Sequence, residues 1–330
     1  MNKSIKISLN YFLGPLLFVI LCYVLYIQVR NQPELGTRWQ EIKQSWQSPY
    51  LWLSLALMPL NWGIESVKWK YLLSHLEKVS FLRALKSVFA GCSITLLTPN
   101  RIGEYGGRIL YLKNENRLRG ISLTILGSMS QLLITILIGF GGLTFLQYSG
   151  QNSHNISEIL PGKSLQLLWI ITLATLVVMV LLFFNEGFIA RWIFRIPGAK
   201  KLEVFSNLLS SYSGKELLTL TAMSAVRYIV FVLQFWLMLK AMQVHIGLWL
   251  SVVLLSVFYL LLAMAPSIGF TELPLRAIAG VQVLGIATQN KLGVEAASLG
   301  IWLTNIFIPA IVGTILISGV RIINKKNEVI

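Results

Sequence analysis

The chain contains no aspartate, and all thirteen of its acids are glutamates. Charge of either sign is scarce, at 12% of 330 residues, about half the share of a soluble domain. That scarcity excludes a soluble globular enzyme and a disordered tail. Cysteine is nearly absent. Cys22 and Cys92 both lie in apolar runs, which excludes a disulfide scaffold and leaves two inert thiols. The three histidines, His75, His154 and His245, stand apart, with no second ligand at helical or hairpin spacing. No metal and no cofactor are therefore expected. No Ser/His/Asp set exists without aspartate, so no catalytic residues are assigned. DNA- and RNA-reading motifs are missing too, and no nucleic-acid partner is expected.

Apolar sequence is what the chain does have, with 55% hydrophobic residues. Runs of spanning length lie at about 8–29, 50–67, 121–147, 165–184, 217–239 and 294–318. A membrane-crossing helix needs roughly 20 such residues, so each run can cross. Lys3 and Lys6 precede the first run, which is too long for a signal peptide and lacks a small-residue cleavage site. Two further apolar stretches break. One ends at Pro99 and the other at Pro266, each followed by glycine, charge and a second short helical stretch. Broken helices at membrane depth persist only where they are buried in protein or line a cavity. The expected fold is all-α: a polytopic membrane bundle of six full spans plus two re-entrant helical hairpins, at 84–113 and 248–288, arranged as an inverted repeat.

The net charge of +15 has a topological meaning. Lysine and arginine collect in 68–86, 113–119, 191–215 and the C-terminal tail, whereas 148–164 and 240–247 hold one lysine each. By the positive-inside rule both termini face the cytoplasm of a multi-pass cell-membrane protein. Residues 1–330 then form one integral membrane domain with repeats over about 1–150 and 151–330. The segment 185–216 reads as an interfacial amphipathic elbow. Trp39, Trp46 and Trp52 read as an outer interfacial belt.

The repeat carries the functional reading. Pro99-Asn-Arg-Ile-Gly-Glu-Tyr-Gly-Gly-Arg108 and Pro266-Ser-Ile-Gly-Phe-Thr-Glu-Leu-Pro-Leu-Arg276 share Pro, Ile-Gly, Glu and an Arg four residues after the Glu. The copies are offset by 168 residues, about half the chain. Inverted repeats of this kind build transporter sites where the broken helices meet. Arg101, Arg108 and Arg276 are the candidate ligands of a lipid phosphate, because a guanidinium fork matches phosphate oxygens. Glu104 and Glu272 would orient them as ion pairs, and a purely structural pairing is the alternative. Gly103, Gly106, Gly107 and Gly269 would let a headgroup approach the backbone. Pro99 and Pro266 would mark the hairpin tips. Glu65 and Lys68 are expected to close the second span, with Lys68 snorkelling to the interface. Arg227 lies in the 217–239 run. Gln131 and Gln234 read as helix–helix glue, and Asn305 as satisfying backbone at a kink before Pro309.

The first motif resembles the signature of the lysylphosphatidylglycerol synthase transmembrane (flippase-like) family, and the resemblance extends over essentially the whole chain. Members often carry a Gly-Gly-Leu-Gly-like run where this chain has Pro266-Ser-Ile-Gly, and an arginine in the last span near Asn305–Pro309. The resemblance implies a bundle that moves a phospholipid or lipid-linked phosphate or sugar between leaflets. In two-part members it precedes a soluble aminoacyl-transferase domain; this chain stops at Ile330, so that activity is not carried over. The expected partners are the membrane and an anionic phospholipid or lipid-linked phosphate, with a homo-oligomer or an envelope-enzyme partner also open. A non-catalytic subunit or scaffold of a cell-envelope lipid or glycolipid enzyme is the alternative function, and an enzyme acting on lipid headgroups is a third.

Overall fold

The computed structural model describes residues 23, 35–96, 98, 102–149, 162–184, 211–265 and 272–318, and every regular element among them is helical. They are α1 (Leu35–Gln44), α2 (Pro49–Leu72), α3 (Phe81–Leu96), α4 (Gly103–Arg108), α5 (Arg117–Ser149), α6 (Gly162–Phe184), α7 (Gly214–Ala241), α8 (Leu248–Met264), α9 (Glu272–Leu284), α10 (Lys291–Trp302) and α11 (Ile308–Ser318). A π-helical turn, Leu303–Phe307, joins the last two. Pro309 has no N–H for the carbonyl of residue 305, which favours a widened turn there.

Four described helical stretches are long and apolar enough to cross a membrane: Asn114–Tyr148, Lys163–Phe184, Gly214–Ala241 and Lys291–Ile317. Of the six runs expected to cross, those at 121–147, 165–184, 217–239 and 294–318 correspond to these four. The run at 8–29 lies outside the described residues. The run at 50–67 belongs to α2, whose 24 residues suffice in length but carry Glu65, Lys68 and Lys70. Residues 185–210 of the elbow expected at 185–216 also lie outside the described residues, as do Pro99, Arg101, Pro266 and Gly269. Helix α1 was not foreseen. Trp39, Trp46 and Trp52 are exposed, and the Trp52 indole donates to the Trp46 carbonyl at 3.0 Å.

Helices α2 and α7 form the centre and run antiparallel. Ser54 and Gln234 exchange two hydrogen bonds of 3.0 Å, Arg227 Nε donates to Asn61 at 2.8 Å, and the Tyr212 hydroxyl donates to the Leu72 carbonyl. Burial pushes the Tyr212 phenol up, so it remains a donor. Around this pair the packing crosses over: α3 lies on α11, and α8 lies on α5. Glycine permits both contacts. A Cβ on Gly313 would sit 1.9 Å from the Phe89 carbonyl oxygen, and one on Gly142 would sit 1.9 Å from Ser256 Oγ.

The helical pairs α3–α4 and α8–α9 each return to the end of the bundle where they began. Asn116, beyond α4, donates to Glu77, just before α3, at 2.7 Å. Asn290, beyond α9, donates to the carbonyls of Met242 and Gln243, just before α8. Helix α3, at 16 residues, and α8, at 17, are shorter than the roughly 20 residues of a typical span. His75 meets Glu216 at 2.6 Å, so the ends of 68–86 and 191–215 sit beside each other.

Candidate functional site

Three glutamates and four cations converge between these helices. Glu65 of α2 is 3% exposed and lies at the hub. Its carboxylate accepts from Arg108 Nη2 at 2.6 Å and stands 3.1 Å from Lys68 Nζ and 2.9 Å from Arg227 Nη1. Arg108 also pairs with Glu104, one helical turn earlier, and its guanidinium lies 5.2 Å from the Trp69 ring. Arg227 is held between Trp62 and Phe231, at 5.1 and 5.0 Å. A hydrogen-bonded row continues away from the charges, from Arg227 to Asn61, to Asn305 at 2.9 Å and to Gln234 at 2.9 Å. In the second Glu/Arg motif Arg276 donates twice to Glu272, at 2.9 and 2.6 Å.

Three readings of the sequence change here. Lys68 does not snorkel. It is 1% exposed and donates to the Gly127 carbonyl at 3.2 Å, because α5 and α7 close over it and Glu65 compensates its charge. Asn305 bonds side chains of α2 and α7 rather than backbone at the kink. Gly103 and Gly107 serve helix packing. A Cβ at either position would sit 2.3 Å from a carbonyl oxygen of α3, at Ile94 and Ala90 respectively, and their four-residue spacing seats α4 flat on α3. Gly106 is exposed, with open space around it. Thr98 fixes the turn by accepting from the Gly103 N–H at 2.7 Å.

A cavity of about 600 Å³ opens beside the hub. Its size falls within the roughly 300–1,000 Å³ of small-ligand sites. Both sequence motifs reach it: Glu104 from one, Glu272 and Arg276 from the other, with Glu65, Lys68 and Arg227 between them. Arg108 stands behind Glu65 and Glu104, 3% exposed, outside the lining. Counting it, four cations (Lys68, Arg108, Arg227, Arg276) meet three carboxylates (Glu65, Glu104, Glu272), one positive charge in excess among the described residues. Gln131 lines the cavity, whereas Gln234 is the helix–helix glue expected of it.

The sequence reading missed an aromatic wall. Trp62, Tyr228, Tyr259 and Trp302 line the same cavity, and in each the indole N–H or phenol OH is buried with no hydrogen-bond partner among the described residues. Nothing in the sequence separates these four from the chain's other tryptophans and tyrosines.

No curated protein and no solved structure matches the chain. A family model described as Lysylphosphatidylglycerol synthase TM region matches residues 11–271. The matched stretch runs from before α2 to the residue preceding α9, and it contains the hub at Glu65, the first Glu/Arg motif and most of the cavity wall. The match covers well over half of the chain, its description as a membrane region agrees with the long apolar helices, and the chain belongs to the lysylphosphatidylglycerol synthase TM region family.

Proposed function

We propose that the protein is a flippase-like lipid transporter that carries an anionic phospholipid or lipid-linked phosphate headgroup between leaflets. The observation that carries this reading is one cavity to which the Glu/Arg motifs of both halves contribute. A headgroup of phosphate size enters such a cavity while the acyl chains stay in hydrocarbon. Arg227 and Arg276 are the ligands facing the phosphate; Arg108 holds Glu65 and Glu104 from behind. The surplus of one positive charge favours an anion without trapping it.

The inverted repeat belongs to the same proposal. Antiparallel α2 and α7, each preceding a short helical pair, are the arrangement that a two-fold axis in the membrane plane produces. The crossed packing supports it, since α3 on α11 and α8 on α5 are the same contact in the two halves, each seated on a glycine. The two short pairs are then re-entrant from opposite faces. The gathering of Lys/Arg-rich loops at the end holding His75 and Glu216 supports cytoplasmic termini.

Vesicles containing purified protein and a fluorescent anionic phospholipid test the reading. An impermeant quencher reaches only the outer leaflet unless lipid crosses. Protein-containing vesicles are expected to lose more fluorescence than protein-free ones, and Arg227→Gln with Arg276→Gln is expected to abolish the difference. Equal loss with and without folded wild-type protein would end the transporter reading.

A further inference from the structure

The cavity's unpaired chemistry is lopsided, and it specifies the headgroup. Every carboxylate on its wall already has a cation within 3.1 Å: Glu65 has three, Glu104 has Arg108 and Glu272 has Arg276. An incoming ammonium therefore finds no carboxylate of its own. It also meets a positive excess and two indole N–H groups that can only donate.

Glu65 Oε2 makes no hydrogen bond but is held by the ion pairs to Lys68 and Arg227, at 3.1 and 2.9 Å; the other unsatisfied groups on the wall are of another kind. The indoles of Trp62 and Trp302 and the phenols of Tyr228 and Tyr259 are four donors without acceptors, and Gln131 Oε1 is an acceptor without a donor. Trp62, Tyr228 and Trp302 are each no more than 5% exposed. Leaving a buried polar group without a partner is costly, so five neutral ones around one cavity mark the surface a ligand satisfies. The indoles suit phosphoryl or other acceptor oxygens. The phenols and Gln131 can in addition pair with hydroxyl groups, which both donate and accept. The rings of Tyr228 and Tyr259 pack edge to face at 5.9 Å, side by side on the cavity wall.

Resting on the transporter reading above, we infer that the cavity selects a phosphate headgroup carrying neutral hydroxyls, such as a phosphoglycerol or phosphosugar group, and rejects headgroups carrying an ammonium.

Native mass spectrometry of the full chain from lipid nanodiscs decides it, with phosphatidylglycerol, phosphatidylethanolamine or phosphatidylcholine as the probe. The wild type is expected to retain phosphatidylglycerol at least about tenfold more tightly than either amine lipid, the worth of one charge-assisted hydrogen bond. Tyr228→Phe with Tyr259→Phe, which keeps both rings, is expected to erase that preference while leaving amine-lipid binding unchanged. Lipid binding without headgroup preference overturns this inference and leaves the transporter reading standing. No binding of any lipid overturns both. Glycerol 3-phosphate added to the wild type separates the sources: weak competition is expected for a lipid site, and binding of the free phosphate without any lipid would overturn the lipid assignment. The wild-type comparison needs no variant and stands if the double substitution misfolds.

Discussion

At the scale of single residues, Glu65 matters more than either member of the Glu104–Arg108 pair. Removing its charge leaves Arg108, Lys68 and Arg227 with one carboxylate fewer in a buried site. Breaking a buried ion pair from one side costs roughly 3–5 kcal/mol. Glu65→Gln is therefore expected to lower the unfolding temperature in detergent far more than Glu104→Gln with Arg108→Gln. The double substitution removes one charge of each sign and leaves Lys68 and Arg227 on Glu65. It is also expected to preserve lipid transport, because Arg108 does not line the cavity and Glu104, which does, is not a phosphate ligand; loss of transport in a folded double variant would return Arg108 to the phosphate. Gly107→Ala is a separate case. Its Cβ meets backbone at 2.3 Å, which cannot rotate away, so α3 and α4 must part. A loss of about 1–3 kcal/mol is expected from the same unfolding measurement.

At the scale of helices, the crossed packing can be tested by cross-linking. Ser93 Oγ of α3 and Thr314 Oγ1 of α11 are 2.7 Å apart, so Ser93→Cys with Thr314→Cys, with Cys22 and Cys92 replaced, is expected to oxidise to a single intramolecular disulfide. Failure to cross-link in folded protein would remove the α3–α11 contact and its bearing on the repeat. Helices were the legible part of the sequence. Continuous apolar runs marked α5, α6 and α7 to within a few residues, and proline followed by glycine marked where α3 and α8 stop. Helix α1 was missed because Leu35–Gln44 is polar and carries no apolar stripe wide enough to read. Within the site, the i, i+4 pairs Glu104–Arg108 and Glu272–Arg276 were legible because their partners are local. The reach of Arg108 and Arg227 to Glu65 was not, since those partners are 43 and 162 residues away and only packing joins them. The role of Trp62 and Trp302 was hidden for the same reason.

At the scale of the whole molecule, charge gathers at one end. The contacts His75–Glu216 and Asn116–Glu77 draw together three loops rich in lysine and arginine, while the end holding Met242 and Asn290 has few. A cysteine placed at Lys78 is expected to resist an impermeant maleimide in intact cells, and one at Gln243 is expected to react. The opposite labelling would invert the bundle. Exposed apolar residues on α6, among them Leu167, Ile170, Val178 and Leu181, form a face suited to acyl chains.

The seating of α3 on α11 also has a consequence in time. Residues are made in order, and α11 is completed roughly 220 residues after α3. At ribosomal rates of ~5–20 residues per second, that is a wait of about 10–45 s. Throughout it, a helix too short to cross the bilayer stands without the wall it is built to meet, with Glu104 and Arg108 attached. No such wait arises for α8, because α5 already exists when α8 emerges. Biogenesis is thus lopsided where the finished architecture is balanced. The first half needs shelter from the insertion machinery or from lipid until the last helix arrives, and a chain truncated before Ile308 is expected to be cleared by membrane proteases rather than to accumulate as a smaller stable protein.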